Sequence, residues 1–322
     1  MYGFYRISAC VPRLKIADVR FNVEEIQHLA EKASAAGGSV ILFPELAVTG
    51  YSCADLFHNS ALLDQAEKGI AELAETLPGD AVYAIGAPVR FRGRLFNAAV
   101  VMQNGSILGV VPKINLPNYR EFYEKRYFSS GRGIEAEVFP FAGFDKVPFG
   151  GDLIFEVSPE LRIGIEICED MWAVVPPSSR LALNGATLIL NLSASNELVG
   201  KADYRRELVR GQSARCVAAY AYVSAGVHES TTDTVCGGHA VIAENGAVLL
   251  DSERFFRDGR LFQTDVDLQR IGAARLSDSP YANSVEMAPP SDCRRIPVSP
   301  VPQPSDLLRT VEPHPFVPSD TA

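Results

Sequence analysis

Residues 96–113 read FNAAVVMQNGSILGVVPK. Two apolar runs flank Asn104-Gly105, and Asn-Gly between such runs specifies a tight β-hairpin because both residues tolerate positive φ. Residues 236–252, CGGHAVIAENGAVLLDS, repeat the arrangement around Asn245-Gly246. Upstream of each hairpin the chain runs strand, helix, strand, helix, strand. In the first half these are FYRISAC (4–10), a helix within NVEEIQHLAEKASAAGG (22–38), SVILFPE (39–45), a helix over 59–77 and AVYAIGAP (81–88). In the second they are LRIGIEI (161–167), a helix over 178–185, ATLILNL (186–192), a helix over 202–219 and AYAYVSAGV (219–227). The halves share this pattern without strong residue identity.

Alternating strands and helices predict sheets with helices packed on them. One doubly wound sheet with an antiparallel edge would satisfy the order of elements. The two hairpins favour two sheets face to face, each covered outside by helices: an α/β fold built as a four-layer α-β-β-α sandwich. Helical periodicity supports the outer layers. Val23, Ile26, Leu29, Ala30 and Ala33 share one face, as do Leu62, Leu63, Ala66, Ile70, Leu73 and Leu77. Asn22 and Glu25 have the spacing of an N-cap and its N3 partner, and Gly37-Gly38 can end that helix. Ten of the 21 prolines lie beyond Ser277, where no core pattern remains. This divides the chain into a domain over 1–276 and a Pro-rich extended arm or linker over 277–322.

Composition narrows the function. The hydrophobic share of 47% and charged share of 21% are those of a globular protein. A net charge of −9, without a dense Lys/Arg cluster, argues against a nucleic-acid partner. No apolar run approaches the ~18 residues of a membrane span. The opening MYGFYRISAC carries an arginine inside its apolar stretch and reads as a strand rather than a signal peptide. Six scattered cysteines without a CxxC pair point to a reducing, cytoplasmic setting. Five histidines without HxH or HExxH spacing give no metal site.

Three ionisable residues stand where strands end, the place where α/β proteins collect functional groups. Glu45 follows VILFP, Lys113 follows SILGVVP and Cys168 ends LRIGIEI. Singly, each has an ordinary reading: a solvated loop carboxylate, a surface lysine, a small core hydrophobe. Together they have a chemical logic. A thiol is mostly protonated near neutral pH, so a nucleophilic cysteine needs a base. A carboxylate can take the proton, and a lysine can balance charge and donate to an oxyanion. The backbone N–H of Glu169 is a second oxyanion donor on this reading.

FPELAVTGYS (43–52), PKINLPNYREFYEKRYF (112–128) and EICEDMW (166–172) resemble the three signature blocks of the nitrilase, or carbon–nitrogen hydrolase, superfamily. YGFYRISACVPRLKIADVRFN, GYSCADLF, LSASNELVGK and ESTTDTVCGGHAVIAENG extend the resemblance to the glutaminase domains of glutamine-dependent NAD synthetases, from Tyr2 to about Val317. The resemblance implies a Glu45–Lys113–Cys168 triad that hydrolyses L-glutamine through a Cys168 thioester. It implies that Tyr119, Ser195 and Lys201 bind glutamine, with Glu169 beside them. It also implies that Glu124, rather than Glu121, is the further acid that orients Lys113. Ser195 follows the second strand of its half, as Glu45 does in the other.

No SGGxDS segment, which in that family holds ATP pyrophosphate, occurs in the sequence. The expectation is therefore an amidotransferase half that needs no cofactor of its own. ATP and Mg would act in a synthetase domain outside this chain, as would NAD formation from nicotinic acid adenine dinucleotide with the released ammonia. The resemblance further implies a homo-oligomer. Cys236 departs from the large apolar residue expected at its position. Two other expectations compete: a free-standing amidase or carbamoylase of the superfamily, and an assembly module of low activity lacking its synthetase partner.

Overall fold

The computed structural model describes residues 3–287 and 293–314. The first half contains β1 (Phe4–Val11), α1 (Val19–Ala35), β2 (Val40–Leu42), α2 (Ser60–Thr76), β3 (Val82–Phe91), β4 (Arg94–Gln103) and β5 (Ser106–Pro112). A connecting group of β6 (Glu137–Phe141), β7 (Phe144–Phe149) and β8 (Leu153–Glu156) follows. The second half contains β9 (Arg162–Ile167), α3 (Pro177–Leu183), β10 (Leu188–Ser193), α4 (Lys201–Arg215), β11 (Ala219–Ser224), β12 (Ala240–Glu244) and β13 (Ala247–Asp251). The chain continues through β14 (Arg260–Asp267), α5 (Leu268–Ser277), α6 (Ser279–Met287) and β15 (Arg294–Pro297).

Two sheets form, in the orders β14-β1-β2-β3-β4-β5-β7-β6 and β13-β12-β11-β10-β9-β8-β15. Within each, the three strands of the repeated pattern are parallel, and the Asn-Gly hairpin then adds antiparallel neighbours. Asn104 and Gly105 both have positive φ, as do Asn245 and Gly246, the backbone these turns require. The inner faces meet in one apolar layer, where Ile7, Val40, Leu42, Val82 and Val101 pack with Ile163, Ile165, Ile167, Leu190 and Val223. Burying each such side chain contributes about 1.5–3 kcal/mol. Outside, α1 and α2 cover the first sheet with Ile26, Leu29, Ile70 and Leu73, and α3 and α4 cover the second with Leu181 and Val209. The four-layer α-β-β-α arrangement is thus present.

Several local expectations change. The cap of α1 is Asp18, whose carboxylate accepts from the Phe21 N–H at 3.2 Å. Asn22 is a buried residue inside the helix, and its amide ties down the incoming loop through Lys15 N and O (2.9 Å each) and Val48 O (3.2 Å). Glu25 pairs with Arg13 instead of capping. α4 stops at Arg215, because Val217 takes φ +44° and turns the chain into β11. The sequence reading also omitted β14, which crosses over to lie antiparallel to β1 at the edge of the opposite sheet. In the Pro-rich stretch, α6 comes first, and β15 pairs in parallel with β8. Farther on, Arg6 donates to Asp306 O at 2.5 Å and Arg309 pairs with Glu244 at 2.7 Å.

One glycine shows how tightly the first sheet holds the turn after β2. A Cβ on Gly86, in β3, would stand 2.3 Å from Leu46 N, 2.4 Å from Pro44 O and 2.7 Å from Glu45 C. Those neighbours are backbone and cannot swing aside. Gly86→Ala is therefore expected to cost about 1–3 kcal/mol of stability, measured by urea denaturation. An unchanged midpoint would show that the turn yields.

Candidate active site

β9 delivers Cys168 to the top of the second sheet and then turns sharply. Cys168 itself has φ +47°, a left-handed conformation that costs a side-chain-bearing residue energy and therefore needs support. Asp170 supplies it. Its carboxylate accepts from Ile167 N at 3.0 Å, on one side of Cys168, and from Asn115 N at 2.7 Å and Asn115 Nδ2 at 2.9 Å. Asn115 lies two residues beyond Lys113, so one buried carboxylate fixes the thiol turn to the lysine loop.

Glu45, Lys113 and Glu124 form a cluster closed to solvent. Lys113 Nζ donates to Glu45 Oε1 and to Glu124 Oε1, each at 2.6 Å. Glu45 Oε1 also accepts from Asn97 Nδ2 at 2.6 Å, and its Oε2 accepts from the Ala194 N–H at 2.8 Å. Glu124 Oε1 accepts from the Tyr51 hydroxyl at 2.9 Å. Glu121 lies elsewhere, accepting from Asn196 Nδ2. Among the two acids considered from the sequence, Glu124 is the one on Lys113.

The charges follow from this packing. Burial alone would strip the proton from Lys113, but Glu124 and Glu45 outweigh it and hold the ammonium well above its usual range. Burial pushes Glu124 up to about 7 against the pull of Lys113. Burial, and then the Glu45 carboxylate, push the Cys168 thiol far up, with Lys113 and the Ala194 backbone opposing. At rest Cys168 is a thiol.

Cys168 opens into a pocket of about 420 Å³, within the range of small-molecule sites. Tyr119, Glu169, Trp172, Ser195, Lys201 and Tyr204 line it. The Tyr119 hydroxyl donates to Glu169 Oε1 and Oε2 at 3.0 and 3.1 Å. Lys201 donates to Asn196 Oδ1 and sits 5.2 Å from the Trp172 ring centroid and 5.7 Å from that of Phe122. Ser195 sits at its wall, its N–H on Ser224 Oγ at 3.0 Å. All eight residues singled out from the sequence therefore fall in one region: Glu45, Lys113 and Glu124 behind the thiol, the others around its mouth.

Sequence reasoning missed the residues that hold these in place. Asn97 and Asp170 are two of them. Arg205, fully buried on α4, is a third, reaching Ser195 Oγ (3.4 Å), Asn196 O (3.1 Å), Glu197 Oε1 (2.8 Å) and His239 Nδ1 (2.9 Å). Burial lowers the proton affinity of His239, consistent with Nδ1 accepting from the guanidinium. Glu229 is a fourth: its carboxylate accepts from Tyr51 N at 2.6 Å and Ser52 N at 3.0 Å and so anchors the tyrosine that reaches Glu124. Among the described residues no group of three or more His, Cys, Asp or Glu is placed to hold a metal ion, and no helix is long and apolar enough to cross a membrane.

Residues 6–276 match the carbon–nitrogen hydrolase family model. The chain belongs to the carbon–nitrogen hydrolase family, and the Glu–Lys–Cys arrangement lies within the matched region. Inside that family it is similar to enzymes named glutamine-dependent NAD(+) synthetase. The protein of that name from Mycobacterium tuberculosis (strain H37Rv) is 42% identical over 331 aligned positions, covering 99% of this chain and 48% of that one. The human protein is 27% identical, covering 85% and 42%. The chain thus spans about half the length of the curated relatives it matches. A solved glutamine-dependent NAD(+) synthetase from Cytophaga hutchinsonii superposes with TM-score 0.74 at 30% identity, over 81% of this chain and 43% of that one. A carbon–nitrogen hydrolase from Helicobacter pylori shares the fold at 18% identity, with TM-score 0.67 over 87% and 94%.

The Glu229 anchor carries a pH signature. Burial raises its carboxyl from 4.5 to about 7 in the folded chain. Its contribution to stability is fully present below the unfolded value and is lost as pH rises through about 7. The stability of the parent chain relative to Glu229→Gln should therefore fall between about pH 4.5 and 7, by on the order of a few kcal/mol. Thermal midpoints of both chains across that range test it; a constant difference would contradict it.

Proposed function

We propose that this chain is a glutaminase: it hydrolyses the side-chain amide of L-glutamine to glutamate and ammonia. The observation that carries the reading is the Cys168 thiol, set in the wall of a small pocket and backed by the closed Glu45–Lys113–Glu124 cluster. The similarity to glutamine-dependent enzymes selects the amide. The pocket suits an amino acid, since Glu169 and Glu121 offer carboxylates to an ammonium group and Lys201 and Arg120 offer cations to a carboxylate. Tyr119, Ser195 and Lys201 are assigned to glutamine, with Glu169.

In this mechanism Glu45 takes the thiol proton as Cys168 Sγ attacks the amide carbon. Lys113 has three N–H donors and commits two to carboxylates, leaving one for the developing oxyanion. The Glu169 N–H is the second donor. Collapse of the tetrahedral intermediate breaks the C–N bond, and Glu45 returns its proton to the leaving nitrogen as ammonia departs. Glu45 then deprotonates a water that attacks the thioester, and glutamate leaves as the thiol is re-formed. Glu124 keeps Lys113 charged and aligned. None of these steps calls on a cofactor. The ammonia would serve ATP-dependent NAD formation in a synthetase domain, where ATP and Mg belong. We place the protein in the cytoplasm as a homo-oligomer.

Cys168→Ala and Lys113→Ala should each lower glutamate release from glutamine by about 10³-fold or more, with the circular-dichroism spectrum of Cys168→Ala unchanged. Near-normal turnover by Lys113→Ala would defeat the triad. Turnover of simple amides or N-carbamoyl amino acids without turnover of glutamine would instead favour a free-standing amidase. An inert Cys168 in a folded chain would favour an assembly module.

A further inference from the structure

Glu45 presents two oxygens to three donors, and their distribution is uneven. A carboxylate oxygen accepts about two hydrogen bonds. Oε1 has two, from Lys113 Nζ and Asn97 Nδ2, both at 2.6 Å. Oε2 has one among the described residues, from the Ala194 N–H at 2.8 Å. The Ala194 backbone that holds Oε2 also lies against the Cys168 thiol. We infer that Glu45 Oε2 is the atom that receives the Cys168 proton, and that Asn97 is a positioning residue that occupies Oε1 and thereby directs the transfer to Oε2. The inference rests on the catalytic reading above and adds a residue to it.

Asn97 has features of a residue kept for this task. It lies in β4, it is buried, and it does not line the pocket. Its Nδ2 faces carboxylate oxygens of both Glu45 (2.6 Å) and Glu124 (3.5 Å). Its Oδ1 is buried with no hydrogen-bond partner among the described residues, an arrangement that costs stability. Turning the amide over would set that oxygen against two carboxylates, so the orientation is fixed by charge. An apolar residue would avoid the orphaned oxygen, but it would also leave a lone pair of Glu45 Oε1 open to the proton, on the side away from Ala194.

Alkylation of Cys168 by iodoacetamide reads the thiol–base pair without needing glutamine. Asn97→Leu is expected to slow that labelling at least about tenfold, while the thermal midpoint stays within a few degrees, because the orphaned oxygen goes too. Asn97→Asp gives a second reading. The groups that face position 97 or its partners are Glu45, Glu124, Lys113, Tyr51 and Cys168. When protonated, the introduced carboxyl can donate to Oε1 in place of the amide; when ionised, it repels Glu45. Its labelling rate divided by that of the parent chain should therefore rise as pH falls from about 8.5 to about 6. Parent-like labelling by Asn97→Leu, or a ratio for Asn97→Asp that stays flat with pH, would overturn the role of Asn97 and leave the glutaminase reading standing. If Cys168 of the parent chain failed to react at all, both readings would fall together.

Discussion

The structure turns on an ammonium ion held between two carboxylates, with none of the three open to water. Removing such ions from water costs several kcal/mol each, and only close pairing with further hydrogen bonds offsets it. Much of the surrounding architecture supplies those bonds. Lys113 comes from the end of β5, Glu45 from the turn after β2, and Glu124 from the loop that follows the hairpin. Tyr51, Asn97 and the Ala194 N–H fill further acceptor positions on the carboxylates. The Ala194 contact crosses from one sheet to the other. The cluster is therefore also a fastening between the layers, and the thiol stands beside the fastening.

Electrostatics at this centre act as one unit. Lys113 stays charged because two acids face it; Glu124 holds its proton more tightly than a free carboxyl because burial outweighs the lysine; Cys168 stays protonated because burial and Glu45 oppose a thiolate. Under the proposed mechanism, a nucleophile formed only as it attacks suits an amide, whose departing nitrogen needs the same proton back. The thiol turn is held by a different carboxylate, Asp170, which among the described residues bonds only to an amide side chain and backbone N–H groups. Charge control and backbone control are thus carried by separate acids.

Much of this was legible in the sequence, for identifiable reasons. The Asn-Gly turns and the two periodicities are local signals, and they sufficed for two helix-covered sheets. Glu45, Lys113 and Cys168 were legible because each ends an apolar strand. Asn97 was not: one polar residue in FNAAVVMQ has no distinguishing mark until β4 lies beside the Glu45 turn. Asp170 was hidden by its neighbour, since two acids after a cysteine read as one cluster. Arg205 sits in KADYRRELVRGQSAR, where charges look solvated, and only the fold shows that this one is enclosed. Asn22 misled for the same reason, a buried amide resembling a helix cap. β14 carried too little apolar alternation to stand out, and its partner lies more than two hundred residues away.

The resting state of Cys168 also bears on durability. Peroxides attack thiolates far faster than thiols. A cysteine whose ionisation is suppressed by burial and a facing carboxylate offers oxidants little to react with, even though it lines the pocket. Most active-site cysteines exchange resistance to oxidation for nucleophilic power. Under the proposed mechanism, the base that creates the nucleophile is also one of the groups that withhold it between turnovers.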